Sequence, residues 1–160
     1  MMLVEPKAAV TGMEGLLGHR PELLSKYRTF YQSFWQDGLV PRRILELCRR
    51  RIAHIHGCQA ELAVTDPEVS LSDAEESALE SADMALFTPA EQVALGIAEF
   101  MPHGVHLIAD AMVADADAQL GHGGCVALLT ALAFFDVSCR IKMVMEVPEQ
   151  AGEIAADALP

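Results

Sequence analysis

The chain has 160 residues, enough to bury one sizeable core and most simply read as a single domain. A formal net charge of −12 argues against a nucleic-acid binder, and 52% hydrophobic residues with only 6% aromatic ones favour helices over sheets. The four cysteines show neither a disulfide framework nor zinc-ribbon spacing.

Residues 1–19 contain glycines and little periodicity, and are expected to form a partly ordered lead with no visible signal peptide. Pro21 suits a first helical turn, and Leu23, Leu24, Tyr27, Phe30, Tyr31, Phe34 and Trp35 then recur at three- and four-residue spacing. That spacing predicts a helix with one wide apolar face, ended by Asp37-Gly38. An aromatic stripe of this kind is core or subunit interface sooner than a ligand box. Pro41 opens a second helix, with Ile44, Leu45, Cys48, Ile52 and Ile55 on its buried side and Gly57 as its stop. Cys58 then opens a third, short helix.

Ser72-Asp73-Ala74-Glu75 and Thr88-Pro89-Ala90-Glu91 are capping boxes that predict a fourth and a fifth helix. Asp110 to Leu120 gives a sixth. Gly123-Gly124 precedes a long apolar helix to about Met145, closed by Pro148. No strand pattern of convincing length appears. The expectation is an all-α, single-domain bundle of about six to eight helices over residues 1–148, with a frayed tail over 149–160. The longest apolar run, Cys125 to Phe135, is too short to span a membrane, so a cytoplasmic protein with reduced thiols is expected.

Chemistry concentrates between Glu46 and Thr65, in ELCRRRIAHIHGCQAELAVT. Cys58 follows a glycine break at a helix start, where unpaired backbone N–H groups favour a thiolate. Its commoner fate would be that of a small buried hydrophobe. Glu61, one turn later, opposes a thiolate by like-charge repulsion. Glu46 and Glu61 facing one cavity would raise one carboxyl pKa and make an acid/base pair; the alternative is surface pairing with Arg42, Arg49 or Arg50. His54 and His56 are further candidates, but they project about 200° apart on one helix, which disfavours a shared metal ion. Neither metal nor cofactor is expected. Arg42, Arg43, Arg49, Arg50 and Arg51 are five of the eleven basic residues. They read as a solvated helix face, as ion pairs at a subunit contact, or as a lure for anionic substrates.

Four segments in order carry a family resemblance. HRPELLSKYRTFYQ, LVPRRILELCRRRIAHIHGC, SLSDAEESALE with LFTPAEQVALGIAEFM, and LLTALAFFDVSCRIKMVMEVP resemble the carboxymuconolactone decarboxylase and alkylhydroperoxidase-D superfamily over most of the chain. In its peroxidase branch a glutamate precedes Cys-x-x-Cys by twelve residues, and a histidine lies four beyond. Glu46 and Cys58 match that pattern; the second cysteine falls on Glu61 and the histidine on Thr65. The resemblance implies a homo-oligomer, a trimer or hexamer, acting on a small molecule.

Three readings stay open. The first is a thiol-dependent oxidoreductase with Cys58 as the peroxide-reacting thiol and Glu46 as proton acceptor. The second is a cofactor-free decarboxylase or proton-transfer enzyme, with arginines holding a substrate carboxylate and Glu46, Glu61 or His56 moving protons. The third is a non-catalytic oligomeric scaffold. Under the first, no internal dithiol couple is expected, because Glu61 stands where a resolving cysteine would be. Only a fold that brings the last helix against Cys58 would offer Cys125 or Cys139 instead.

Overall fold

The computed structural model describes residues 12–149 and, as backbone, 152–153. Among these, seven α-helices form a single all-α bundle: α1 (Gly12–Leu17), α2 (Pro21–Gln36), α3 (Arg42–His56), α4 (Gln59–Leu62), α5 (Asp73–Ser81), α6 (Pro89–Phe100) and α7 (Asp110–Val144). Short 3-10 turns over Met84–Leu86 and Val105–Leu107 link α5 to α6 and α6 to α7.

The helix boundaries follow local chemistry. Pro21 sits in the first turn of α2, and Gly57 ends α3 in the left-handed conformation, with φ 65° and ψ 29°. Both capping boxes form: the Ser72 and Thr88 hydroxyls accept from the backbone N–H of Glu75 and Glu91, whose carboxylates reach back. The break in the last helix falls at Gly121, two residues before the expected Gly123-Gly124, with φ 72° and ψ 168°. Gly124 serves a different purpose. A Cβ there would lie 2.9 Å from the Leu39 carbonyl oxygen, so its lack of a side chain lets α7 pass close to the α2–α3 turn.

Within the lead expected to be partly ordered, residues 12–17 are helical, because Met13 and Leu16 are buried and Glu14 takes both Nε and Nη2 of Arg28, at 2.9 and 2.7 Å. Residues 1–11 lie outside the described residues. In the tail, Gly152–Glu153 (β2) pairs in parallel with Val64–Thr65 (β1); 150–151 and 154–160, on which the expectation of a frayed tail mostly falls, lie outside the described residues.

The central helix is α3, which packs on α2, α4, α5, α6 and α7. Leu47, Ile52, Leu95, Leu128, Leu132 and Phe135 are fully buried where α3, α6 and α7 meet. Burial of each such side chain stabilises the fold by about 1.5–3 kcal/mol. The aromatic stripe of α2 is core: Tyr31 meets Phe134 at 5.6 Å and Trp35 meets Phe135 at 6.0 Å between ring centroids. By length and composition α7 could cross a membrane; in this fold one face of it is buried on α3 and α6 as core.

Candidate functional site

The five arginines of α3 are each held by carboxylates of their own chain. Arg42 grips Asp66 through Nε and Nη2, both at 3.0 Å, and lies over the Trp35 ring. Arg43 joins Glu75 to Glu91, Arg50 holds Glu76, and Arg51 holds Glu99 and the Leu79 carbonyl. The run is therefore a set of clamps from α3 to its neighbours. A row of arginines on a helix looks solvated in sequence because the carboxylates bonded to Arg42, Arg43, Arg50 and Arg51 lie 24 to 48 residues away.

Arg49 is the innermost clamp, with no exposed surface. Its Nε and Nη2 donate to the two Glu46 oxygens at 2.9 and 2.8 Å. Its Nη1 donates to Glu61 Oε1 at 2.7 Å and to the Glu61 carbonyl at 2.8 Å, and Nη2 donates again to the Val64 carbonyl at 2.6 Å. A guanidinium carries five N–H donors, and these five bonds match that capacity. The remaining Glu61 oxygen accepts from Lys142 of α7. The cluster Glu46–Arg49–Glu61–Lys142 thus balances two anions against two cations in a buried place, with Arg50 3.8 Å from Glu46 at its edge. Such pairs survive burial only when their hydrogen-bonding capacity is met.

Glu46 and Glu61 do converge, as expected from the sequence, but on Arg49. The expected raised carboxyl is not found at Glu61. Burial pushes its pKa up, yet Arg49 and Lys142 together outweigh burial and hold it below the usual carboxylate range.

Cys58 caps the start of α4 and is 2% exposed. α7 passes this point, the one arrangement in which the sequence left a cysteine of the last helix open as a partner for Cys58. The Cys58 thiol donates to the Cys139 backbone carbonyl oxygen at 4.0 Å. The Cys139 side chain beside it is the main cause of a Cys58 pKa lowered to about 7. Burial opposes it, the Glu61 backbone assists, the Glu61 carboxylate opposes as anticipated, and Lys142 assists. The other three thiols are pushed up: Cys139 by the neighbouring Cys58 side chain and by burial, Cys48 and Cys125 mainly by burial.

The two histidines face apart, as their spacing predicted. His54 lies toward α5; burial lowers its pKa and the Arg50 charge adds to this, while its Nε2 is buried without a hydrogen-bond partner among the described residues. His56 turns to α7, with Nε2 2.6 Å from Asp136 Oδ1, and Arg140 holds the same carboxylate. Sequence reasoning missed Arg49 and Lys142 as site residues. Lys142 had one legible signal: a cation set in a long apolar helix must find an anion.

No family model, curated protein or solved structure matches the chain. What fold and site define is an all-α bundle with a buried thiol, Cys58, close to a neutralised buried ion cluster.

Proposed function

We propose that the protein is a thiol-dependent oxidoreductase similar to the alkylhydroperoxidase-D type, with Cys58 as the thiol that meets a small peroxide. The observation that carries this reading is the contrast among the four thiols: Cys58, set against Cys139 at the start of α4, alone is shifted toward the thiolate, chiefly by the Cys139 side chain. At neutral pH a thiol of pKa about 7 is roughly half ionised, against about a few per cent for an ordinary cysteine, and the thiolate is the nucleophile. With 2% exposure at Cys58, the substrate class narrows to hydrogen peroxide and the smallest alkyl hydroperoxides. Proton transfer by Glu46 or Glu61 gains no support, since both carboxylates are bound to Arg49 and all five candidate anion-holding arginines are already paired.

The test is the pH profile of timed alkylation with a small reagent, read by peptide mass spectrometry. Cys58 should label with a midpoint near pH 7, and Cys58→Ser should lose peroxide consumption with added thiol by about 100-fold or more. A midpoint at the ordinary cysteine value of about 8.5 would mean that Cys58 reacts only when the site has opened, which defeats the reading. The burial of Cys58 favours a second reading, a scaffold without turnover. It predicts that Cys58→Ser consumes peroxide as slowly as wild type.

The proposal includes self-association. Val126, Val137, Ile141 and Val144 leave an apolar strip on the outer side of α7. Light scattering at micromolar concentration should give a multiple of 17.3 kDa. A lone 17.3 kDa species would refute the oligomer.

A further inference from the structure

We propose that Cys139 is the resolving thiol for Cys58, so that α4 and α7 together supply the dithiol couple which the Cys58-Gln59-Ala60-Glu61 sequence lacks. The inference rests on the reading of Cys58 as the peroxide-reacting thiol. Three observations carry it. The Cys58 sulfur is against α7 at Cys139, 4.0 Å from its carbonyl oxygen. Both residues are buried, at 2% and 0% exposure, so a sulfenic acid formed on Cys58 meets Cys139 before any dissolved thiol. Glu61, in the position of a second cysteine, is ion-paired to Lys142, three residues beyond Cys139 on the same helix. The ion pair anchors the stretch of α7 that presents Cys139.

The surroundings of the two thiols also assign their order: with the Cys58 sulfur set against Cys139, the Cys139 side chain favours the Cys58 thiolate, and Cys58 together with burial disfavours a negative charge on Cys139. Cys58 therefore reacts first. Cys58 thiol and a hydroperoxide give Cys58 sulfenic acid and the corresponding alcohol or water. The peroxide O–O bond breaks, an S–O bond forms, and sulfur loses two electrons to the peroxide. Once Cys58 is a neutral sulfenic acid, the charge that restrained Cys139 is gone. The Cys139 sulfur then attacks the Cys58 sulfur, an S–S bond forms, the S–O bond breaks, and hydroxide leaves with the Cys139 proton as water. A thiol reductant from outside the chain, supplying two electrons and two protons, restores both thiols.

The experiment treats the full chain with one equivalent of hydrogen peroxide, blocks free thiols under denaturing conditions, and maps peptides without reduction. A parallel reaction contains dimedone to trap sulfenic acid. Wild type should yield a Cys58–Cys139 bridge within one chain and little dimedone adduct, whereas Cys139→Ser should give at least about tenfold more adduct at Cys58. A dimedone adduct at Cys58 in wild type with no bridge overturns Cys139 as partner and leaves Cys58 as the reacting thiol. A bridge from Cys58 to Cys48 or Cys125 overturns it equally. No modification of Cys58 at all defeats both the inference and the reading beneath it. The bridge is measured in the wild-type chain, so the test remains decisive even if Cys139→Ser does not fold; Cys139→Ala then provides the trapping arm.

Discussion

Arg49→Met is expected to unfold the protein or bring it to the edge of unfolding. The substitution keeps most of the side-chain volume but leaves Glu46 and one arm of Glu61 without their cation, in a place with almost no solvent. Breaking a buried ion pair from one side costs about 3–5 kcal/mol. The Glu61 and Val64 carbonyls also lose donors, at about 1–3 kcal/mol for each buried group left unpaired. Against a total stability of about 5–15 kcal/mol, these losses leave little or nothing. Urea denaturation should show a collapsed midpoint or no cooperative transition. The double variant Arg49→Met/Glu46→Leu should recover a substantial part, because it removes both charges and leaves Glu61 with Lys142. Arg49→Lys should recover less, since an ammonium has three donors and cannot meet two carboxylates and two carbonyls at once. A loss below about 1 kcal/mol for Arg49→Met would place the cluster in the range of solvent-screened surface pairs and remove its structural role.

The same cluster explains which parts of the molecule were legible beforehand. Helix starts and stops depend on chemistry within a few residues, so Pro21, Gly57, Ser72 and Thr88 sit where the sequence placed them. The helical turn of residues 12–17 was not legible because its anchor is distant: Arg28 reaches back 14 residues to Glu14. The site was legible in its parts and not in its wiring. Glu46, Cys58 and Glu61 could be singled out through the family resemblance, but the partner of each is set by how α3, α4 and α7 pack. Arg49 looks identical to Arg50 and Arg51 in the sequence, and only its angular position on α3 sends it inward to Glu61. Cys139 is 81 residues from Cys58, beyond any local pattern. Glu61 is the clearest case. In sequence it stands where the resemblance implies a second cysteine; in the fold it is the anchor between Arg49 and Lys142.

That double role of Glu61 gives a prediction in which two substitutions in one ion pair act in opposite directions. The Glu61 carboxylate raises the Cys58 pKa and the Lys142 ammonium lowers it. Glu61→Gln removes the opposing charge, so Cys58 should ionise at lower pH than in wild type. Lys142→Met removes the assisting charge and leaves Glu61 less neutralised, so Cys58 should ionise at higher pH. At pH 6 the alkylation rates of the two variants should differ by roughly tenfold, the change expected for one pKa unit. Both variants should also lose stability, by about 3–5 kcal/mol, because each strands a buried charge. Their acid behaviour separates them again. The folded Glu61 carboxyl is held below its ordinary value, so in acid the folded chain binds fewer protons than the unfolded one. Its contribution is complete above the unfolded value, about 4.3, and is lost as pH falls through the lower folded value. Glu61→Gln has no such proton to bind, so its urea midpoint should fall less steeply than that of wild type between neutral pH and about pH 3. Lys142→Met keeps the carboxylate, still paired with Arg49, and should retain part of the slope. If both variants shifted the Cys58 midpoint in the same direction, the charges would be acting through a change in packing, and direct electrostatic control of the thiol by this pair would be excluded.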